Sequence, residues 1–270
     1  MKAVSDLRIQ IFADGADKAS ILELYRQPYI KGFTTNPTLM RATGVTDYQQ
    51  FALDLLATIQ DRPISFEVFA DEEPEMEEQA RHIAAWSENV FVKIPVMNTN
   101  GVSTCDLIRR LSGEGIRLNV TALFTLQQVR DVCAALQAPA YVSVFAGRIA
   151  DTGRDPVPLM REAVSIVNDA NAQLIWASPR ELLNVFQADE IGCHVITATP
   201  DILKKLPLVG KDLHEFSQET VQMFRRDAVK SGYSLQKPKP DGTWAPVHCK
   251  LCGAFQKFGW KEKDNAIDRC

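Results

Sequence analysis

Short runs with strand periodicity alternate along this chain with segments of helical periodicity, and no other feature restricts the fold as strongly. The strand candidates are 8–14 (RIQIFAD), 30–36 (IKGFTTN), 64–70 (ISFEVFA) and 89–96 (NVFVKIPV), then 116–124, 140–147, 172–178 and 193–199. Between them, DKASILELYRQ, TDYQQFALDLLATIQ, EPEMEEQARHIAAW, TLQQVRDVCAALQ and VPLMREAVSIVNDA carry helical spacing. Repeated βα units predict a parallel sheet. Eight such units in roughly 230 residues fit a closed (β/α)8 barrel, an α/β fold of about 250 residues, better than an open doubly wound sheet. No G-x-G-x-x-G follows the first strand, so a dinucleotide fold has no support.

The barrel with its C-terminal helix is expected over residues 1–232, followed by an irregular extension over 233–270 that opens with linker-like QKPKPDG. Within that extension His248, Cys249, Cys252 and Cys270 could complete a zinc set; the alternative is a tail whose aromatic residues pack on the barrel or a neighbouring subunit. The net charge of -4 supplies no basic field of the kind that binds nucleic acid. No apolar run reaches the roughly 18 residues of a membrane span, and no charged start leads into an apolar leader segment. These readings predict no membrane association and a cytoplasmic location. Six scattered cysteines suit reduced thiols better than a disulfide framework.

Alternate side chains on a strand face opposite sides. In 64–70 this separates Ile64, Phe66 and Val68 from Ser65, Glu67 and Phe69; in 116–121 it separates Ile116, Leu118 and Val120 from Arg117, Asn119 and Thr121. In the fourth strand Val90, Val92 and Ile94 oppose Phe91, Lys93 and Pro95. One face suits covering helices, and the other carries a polar group toward the C-terminal end of the strand, where barrel active sites lie.

A lone strand lysine usually snorkels to water. Lys93 has other company: Asp14, Asn36, Glu67, Asn119, Thr121 and Ser143 occupy comparable late-strand positions. In a partly dry pocket an amine is nucleophilic toward carbonyls, which is Schiff-base chemistry. Glu67 and Asp14 offer the acid and base functions that making and cleaving a carbinolamine require.

The stretches GFTTNPTL (32–39), FVKIP (91–95), LNVTALF (118–124), VFAGRI (144–149) and GCHVIT (192–197) together resemble the transaldolases and the short fructose-6-phosphate aldolases, over roughly residues 8–232. The resemblance implies that Lys93 forms the imine and that Asp14 handles the proton of the C4 hydroxyl. It further implies that Glu67 and Thr121 hold a catalytic water, and that Thr34, Asn36, Asn119 and Ser143 hold the dihydroxyacetone fragment. Arg148 and Arg180, with Ser178, match a phosphate grip. Glu67 and Phe145 side with transaldolase, since the free aldolases tend to carry glutamine and tyrosine there. The expected activity is therefore transfer of a dihydroxyacetone unit between sugar phosphates, with no cofactor, no active-site metal, and a homo-oligomer.

The chain departs from the family pattern at Gly15, Val144 and Pro179. Pro179 is expected to bias Ser178 toward extended backbone and so to alter the aim of Ser178 and Arg180. Two alternatives follow: a Schiff-base aldolase or transaldolase for a non-standard ketose, and an inactive barrel that binds a partner through its tail.

Overall fold

The computed structural model describes residues 3–170 and 172–232, together with the backbone of 247–248 and 255–256. Residues divide into two compact units, Met1–Gly210 and Lys211–Cys270.

In the first unit eight parallel strands close into a barrel in sequence order. The first half contains β1 (Gln10–Asp14), α1 (Lys18–Tyr25), β2 (Ile30–Thr34), α2 (Pro37–Ala42), α3 (Tyr48–Leu56), β3 (Ile64–Glu67), α4 (Glu73–Ala84) and β4 (Val90–Pro95). The second half contains α5 (Cys105–Gly113), β5 (Leu118–Leu123), α6 (Leu126–Ala135), β6 (Tyr141–Val144), α7 (Ala146–Ala150), α8 (Val157–Asn168), β7 (Gln173–Trp176), α9 (Leu183–Glu190), β8 (Val195–Ala198) and α10 (Pro200–Leu203). The second unit holds α11 (Leu213–Ser231) and a backbone ribbon in which β9 (Val247–His248) pairs antiparallel with β10 (Phe255–Gln256). Cys249, Cys252, Cys270 and the side chain of His248 lie outside the described residues.

The (β/α)8 expectation is met, with more helices than the eight counted from periodicity: eleven among the described residues. Two of them, α2 and α3, share the connection between β2 and β3. Helix starts follow local chemistry. Asp17 and Asp47 accept from the backbone N–H groups of Ser20 and Gln50, and Thr125 with Gln128 forms a reciprocal capping box on α6.

Two strands stop three residues sooner than alternation suggests. The run expected over 64–70 ends at Glu67, because Gln79 from α4 accepts the N–H groups of Phe69 and Ala70 at 2.7 and 3.0 Å and draws the chain out of the barrel. The run expected over 140–147 ends at Val144, where α7 begins.

The main core lies between the outward strand faces and the helices, with Phe66, Val92, Ile94, Leu118, Val120 and Trp176 fully buried. A second cluster fills the lower interior: Phe12, Tyr141, Ile175, Ala177 and Val195, with Phe91 and Phe145 against it. Gly32 is required here, since a Cβ would stand 2.6 Å from the Phe12 ring. This apolar plug leaves the upper interior to the polar groups.

Candidate active site

Lys93 points into the barrel because its neighbours Val92 and Ile94 face outward and are wholly covered. It is only 6% exposed, so a charged head there needs partners. Its Nζ donates to Glu67 Oε2 at 3.0 Å and to the Thr35 carbonyl at 2.9 Å. Register supplies the first contact, since Glu67 and Lys93 are direct neighbours across β3 and β4.

Glu67 is held from behind by Tyr48, at the start of α3. The Tyr48 hydroxyl donates to the Glu67 carbonyl at 3.1 Å and accepts its N–H at 2.7 Å. Burial pushes the Tyr48 phenol well above its ordinary range, so it stays a neutral donor. Thr121, beside this pair, has a buried Oγ1 with no partner among the described residues. A bulge follows it: the β5–β6 register shifts between Val120 and Leu123, and Ala122 has φ 62°.

Asp14 ends β1 across the mouth. Its Oδ1 accepts from Thr34 Oγ1 at 2.9 Å, and its Oδ2 from Asn36 Nδ2 at 3.4 Å. Burial pushes its carboxyl above the ordinary carboxylate range, while the Lys93 ammonium and the bonds from Thr34 and Asn36 pull the other way. Asn36 has a structural duty as well, since its Oδ1 caps α2 by accepting the Leu39 N–H at 2.9 Å.

The inward polar groups occupy two depths. Asn119 is level with Lys93 and Tyr141 in register, is fully buried, and does not line the mouth. Its Nδ2 donates to Ser65 Oγ at 2.9 Å, and its Oδ1 accepts from Ser143 Oγ at 2.7 Å. The stagger of a closed barrel decides this depth, which spacing within one strand does not report. Ser143 reaches the mouth and Asn119 supports it from below.

Arg148 and Arg180 line the opposite wall with Phe145 and Ser178. Arg148 lies 5.3 Å from the centre of the Phe145 ring and has no hydrogen-bond or ion-pair partner among the described residues. Arg180 is engaged: its Nε donates to Asp151 Oδ1 at 2.8 Å, Nη2 meets the other Asp151 oxygen, and Nη1 meets Ser178 Oγ at 3.2 Å. Ser178 departs from expectation. Instead of the extended backbone that Pro179 favours, it has φ 59°. The cause is close packing against Gly147, where a Cβ would fall on the Ser178 carbonyl.

These walls enclose about 390 Å³, a volume suited to a small polar ligand. A larger depression of about 660 Å³ crosses the other end of the barrel, lined by Arg117, Tyr141 and His194 among others, and none of the expected site residues reaches it. Sequence reasoning missed Tyr48, Ser65, Asp151 and Thr197. All four act through contacts distant in sequence; only Ser65, on the inward face of 64–70, and Thr197, the inward residue closing GCHVIT, left a signal in strand parity.

Residues 11–235 match the model of the transaldolase/fructose-6-phosphate aldolase family. A probable transaldolase of Dehalococcoides mccartyi is 34% identical over 213 residues, 77% of this chain and 96% of that protein. A probable transaldolase of a Thermoanaerobacter species is 32% identical over 229 residues, 84% of this chain and 100% of that protein. One from Streptococcus pyogenes is 34% identical over 216 residues, 78% and 97% of the two chains.

Proposed function

The chain belongs to the transaldolase/fructose-6-phosphate aldolase family, and on that premise we propose that it transfers a dihydroxyacetone unit from a ketose phosphate to an aldose phosphate through an imine on Lys93. The observation that carries this reading is a lysine 6% exposed at the barrel mouth, within 3.0 Å of a carboxylate able to take its proton.

In this reading Glu67 deprotonates the amine, which attacks the C2 carbonyl of the ketose. Glu67 then returns a proton to the departing hydroxyl through a water shared with Thr121, whose orphaned Oγ1 suits that contact. Asp14 takes the C4 hydroxyl proton, the C3–C4 bond breaks, and its electron pair flows into the iminium to give an enamine. The enamine attacks the acceptor aldehyde by the reverse steps, and hydrolysis frees the amine. Thr34, Asn36 and Ser143 meet the hydroxyls of the three-carbon unit, with Asn119 holding Ser143 in place. Arg148, whose guanidinium makes no hydrogen bond or close ion pair among the described residues, receives the phosphate with Arg180 and Ser178. The Phe145 ring offers no hydroxyl to deliver a proton to the enamine, which favours waiting for an acceptor. The cycle is redox neutral and is written without a cofactor.

The engagement of Arg180 by Asp151 supports a second reading, a transaldolase or aldolase for a ketose with a different anionic tail. A cytoplasmic homo-oligomer belongs to the same proposal. The exposed Leu213, Phe216, Val221 and Phe224 of α11 suit contact with a second copy, which the mass in solution tests.

Borohydride reduction in the presence of fructose 6-phosphate should leave a three-carbon adduct on the peptide containing Lys93, and Lys93→Met should leave none. Dihydroxyacetone release with and without erythrose 4-phosphate separates transfer from free aldol cleavage. An unmodified Lys93 in the wild type would overturn the proposal.

A further inference from the structure

Thr197 of β8 has no part in the chemistry above, yet its Oγ1 lies 2.5 Å from Thr34 Oγ1, and Thr34 donates to Asp14 at 2.9 Å. It is 6% exposed, lines the catalytic cavity, and sits in register with the barrel-filling Phe12.

Each hydroxyl carries one proton and two lone pairs, so this row of three groups has two consistent senses. With Asp14 ionised, the Thr34 proton belongs to the carboxylate and Thr197 must donate to Thr34. With Asp14 protonated, the acid donates to Thr34, Thr34 donates to Thr197, and the Thr197 proton turns toward the cavity. On its other oxygen Asp14 meets the donor Asn36 Nδ2, so that side offers no acceptor for an acid proton. The charged groups that face Asp14 are Lys93 from β4 and Glu67 from β3, with Arg148 and Arg180 farther round the mouth. The neighbouring β2 and β8 bring only hydroxyls and an amide.

We propose that Thr197 is a positioning residue that lets Asp14 hold a proton between the two half-reactions, by accepting the reversed hydroxyl chain. This rests on the transaldolase reading. In the first half the C4 hydroxyl proton passes to Asp14, the C3–C4 electron pair moves to the iminium, and the aldehyde leaves. In the second, C3 attacks the new carbonyl carbon and the same proton goes to the oxygen formed there. A transferase must keep that proton while it waits, and the reversed chain gives the Asp14 and Thr34 protons an acceptor each while it sends the Thr197 proton to the open cavity.

Thr197→Val keeps the shape and removes the hydroxyl. Ionised Asp14 still receives Thr34 and loses only the polarising donor behind it, an effect of about 10–30% of one bond. Protonated Asp14 leaves the Thr34 proton unmet, and an unmet buried donor costs the larger amount. The two effects oppose each other and the second wins, so the variant favours the ionised form. Its kcat/KM for transfer from fructose 6-phosphate to erythrose 4-phosphate should fall roughly tenfold on the pH plateau, while the acid limb moves to lower pH. The ionisation of the substrate phosphate is common to all variants. Thr197→Ser should restore both features. Overall loosening of the site would lower the rate without that shift.

An unchanged profile, a limb moving to higher pH, or a serine variant as impaired as the valine variant would overturn the inference. Borohydride trapping of dihydroxyacetone itself at Lys93, which needs imine formation but no C3–C4 cleavage and so does not use Asp14, separates the two levels. If all variants trap alike while the profile stays put, only the role of Thr197 falls. If the wild type does not trap, the parent reading falls and takes this one with it. Thr197→Ala is read in the same way should the valine variant not fold.

Discussion

Replacing Gly147 by alanine tests whether the wall around Ser178 serves the phosphate. An added Cβ would land on the Ser178 carbonyl oxygen, stand 2.6 Å from its carbon and lie 3.4 Å from Pro179 Cα. Carbon atoms in ordinary contact settle about 3.5–4.0 Å apart, and the carbonyl oxygen, only 1.6 Å from the added atom, is the tighter clash, so the Ser178 peptide must withdraw by roughly 1.5 Å. It has little room to do so. Its backbone is already held at φ 59°, and the Gly147 N–H reaches the Ala177 carbonyl at 3.3 Å. The displacement carries Ser178 and Arg180 with it, and a misplacement of about 1 Å in a positioning group can cost about a hundredfold. The expected outcome is a fall in kcat/KM for fructose 6-phosphate of about that size, mostly in KM, with about 1–3 kcal/mol lost from stability by overpacking. Lys93 stands on β4, across the mouth, so trapping of unphosphorylated dihydroxyacetone should proceed at the wild-type rate. Steady-state kinetics, borohydride trapping and urea unfolding on the same preparation give all three numbers. A variant that overpacks but keeps its KM for the phosphorylated donor would refute the assignment of this wall to the phosphate.

Other outcomes follow from the same geometry. Asp14→Asn should lower transfer by about 10²–10⁴ yet raise the melting temperature at neutral pH, because burial makes the ionised carboxyl costly in the folded state. The sign follows from its raised folded pKa: the cost is present above that value and disappears as pH falls to the ordinary aspartate range, so the gain in melting temperature should shrink with acidification. Tyr48→Phe leaves the Glu67 N–H without its 2.7 Å acceptor, and should cost about 1–3 kcal/mol in denaturant unfolding and slow trapping at Lys93. Phe145→Tyr places a proton donor on the cavity wall, and should raise dihydroxyacetone release without an acceptor, measured by reduction of the released ketone.

The barrel and most of its mouth were legible because their signals are local. Lys93, Glu67, Asp14 and Ser143 alternate with apolar neighbours, and parity alone sends them inward. The same logic misjudged depth at Asn119, where stagger between strands puts the side chain a layer below the cavity. It also misjudged Ser178, where local steric bias from Pro179 yields to packing against Gly147, some thirty residues earlier in the chain. Nothing near Arg180 in sequence announces Asp151 as its partner, and nothing in the α3 segment marks Tyr48 as the clamp on Glu67.

Hydrophobic alternation by itself determined that this chain makes eight βα units and which side chains face the barrel axis, because a strand cannot bury one face without presenting the other. Only the closed structure decided which of those side chains meet. Contact across a barrel depends on register, stagger and the apolar plug beneath, and these are properties of eight strands together. Thr34, at the end of β2, touches both Asp14 and Thr197 because β1 lies between β2 and β8 in the closed ring. No single strand contains that arrangement.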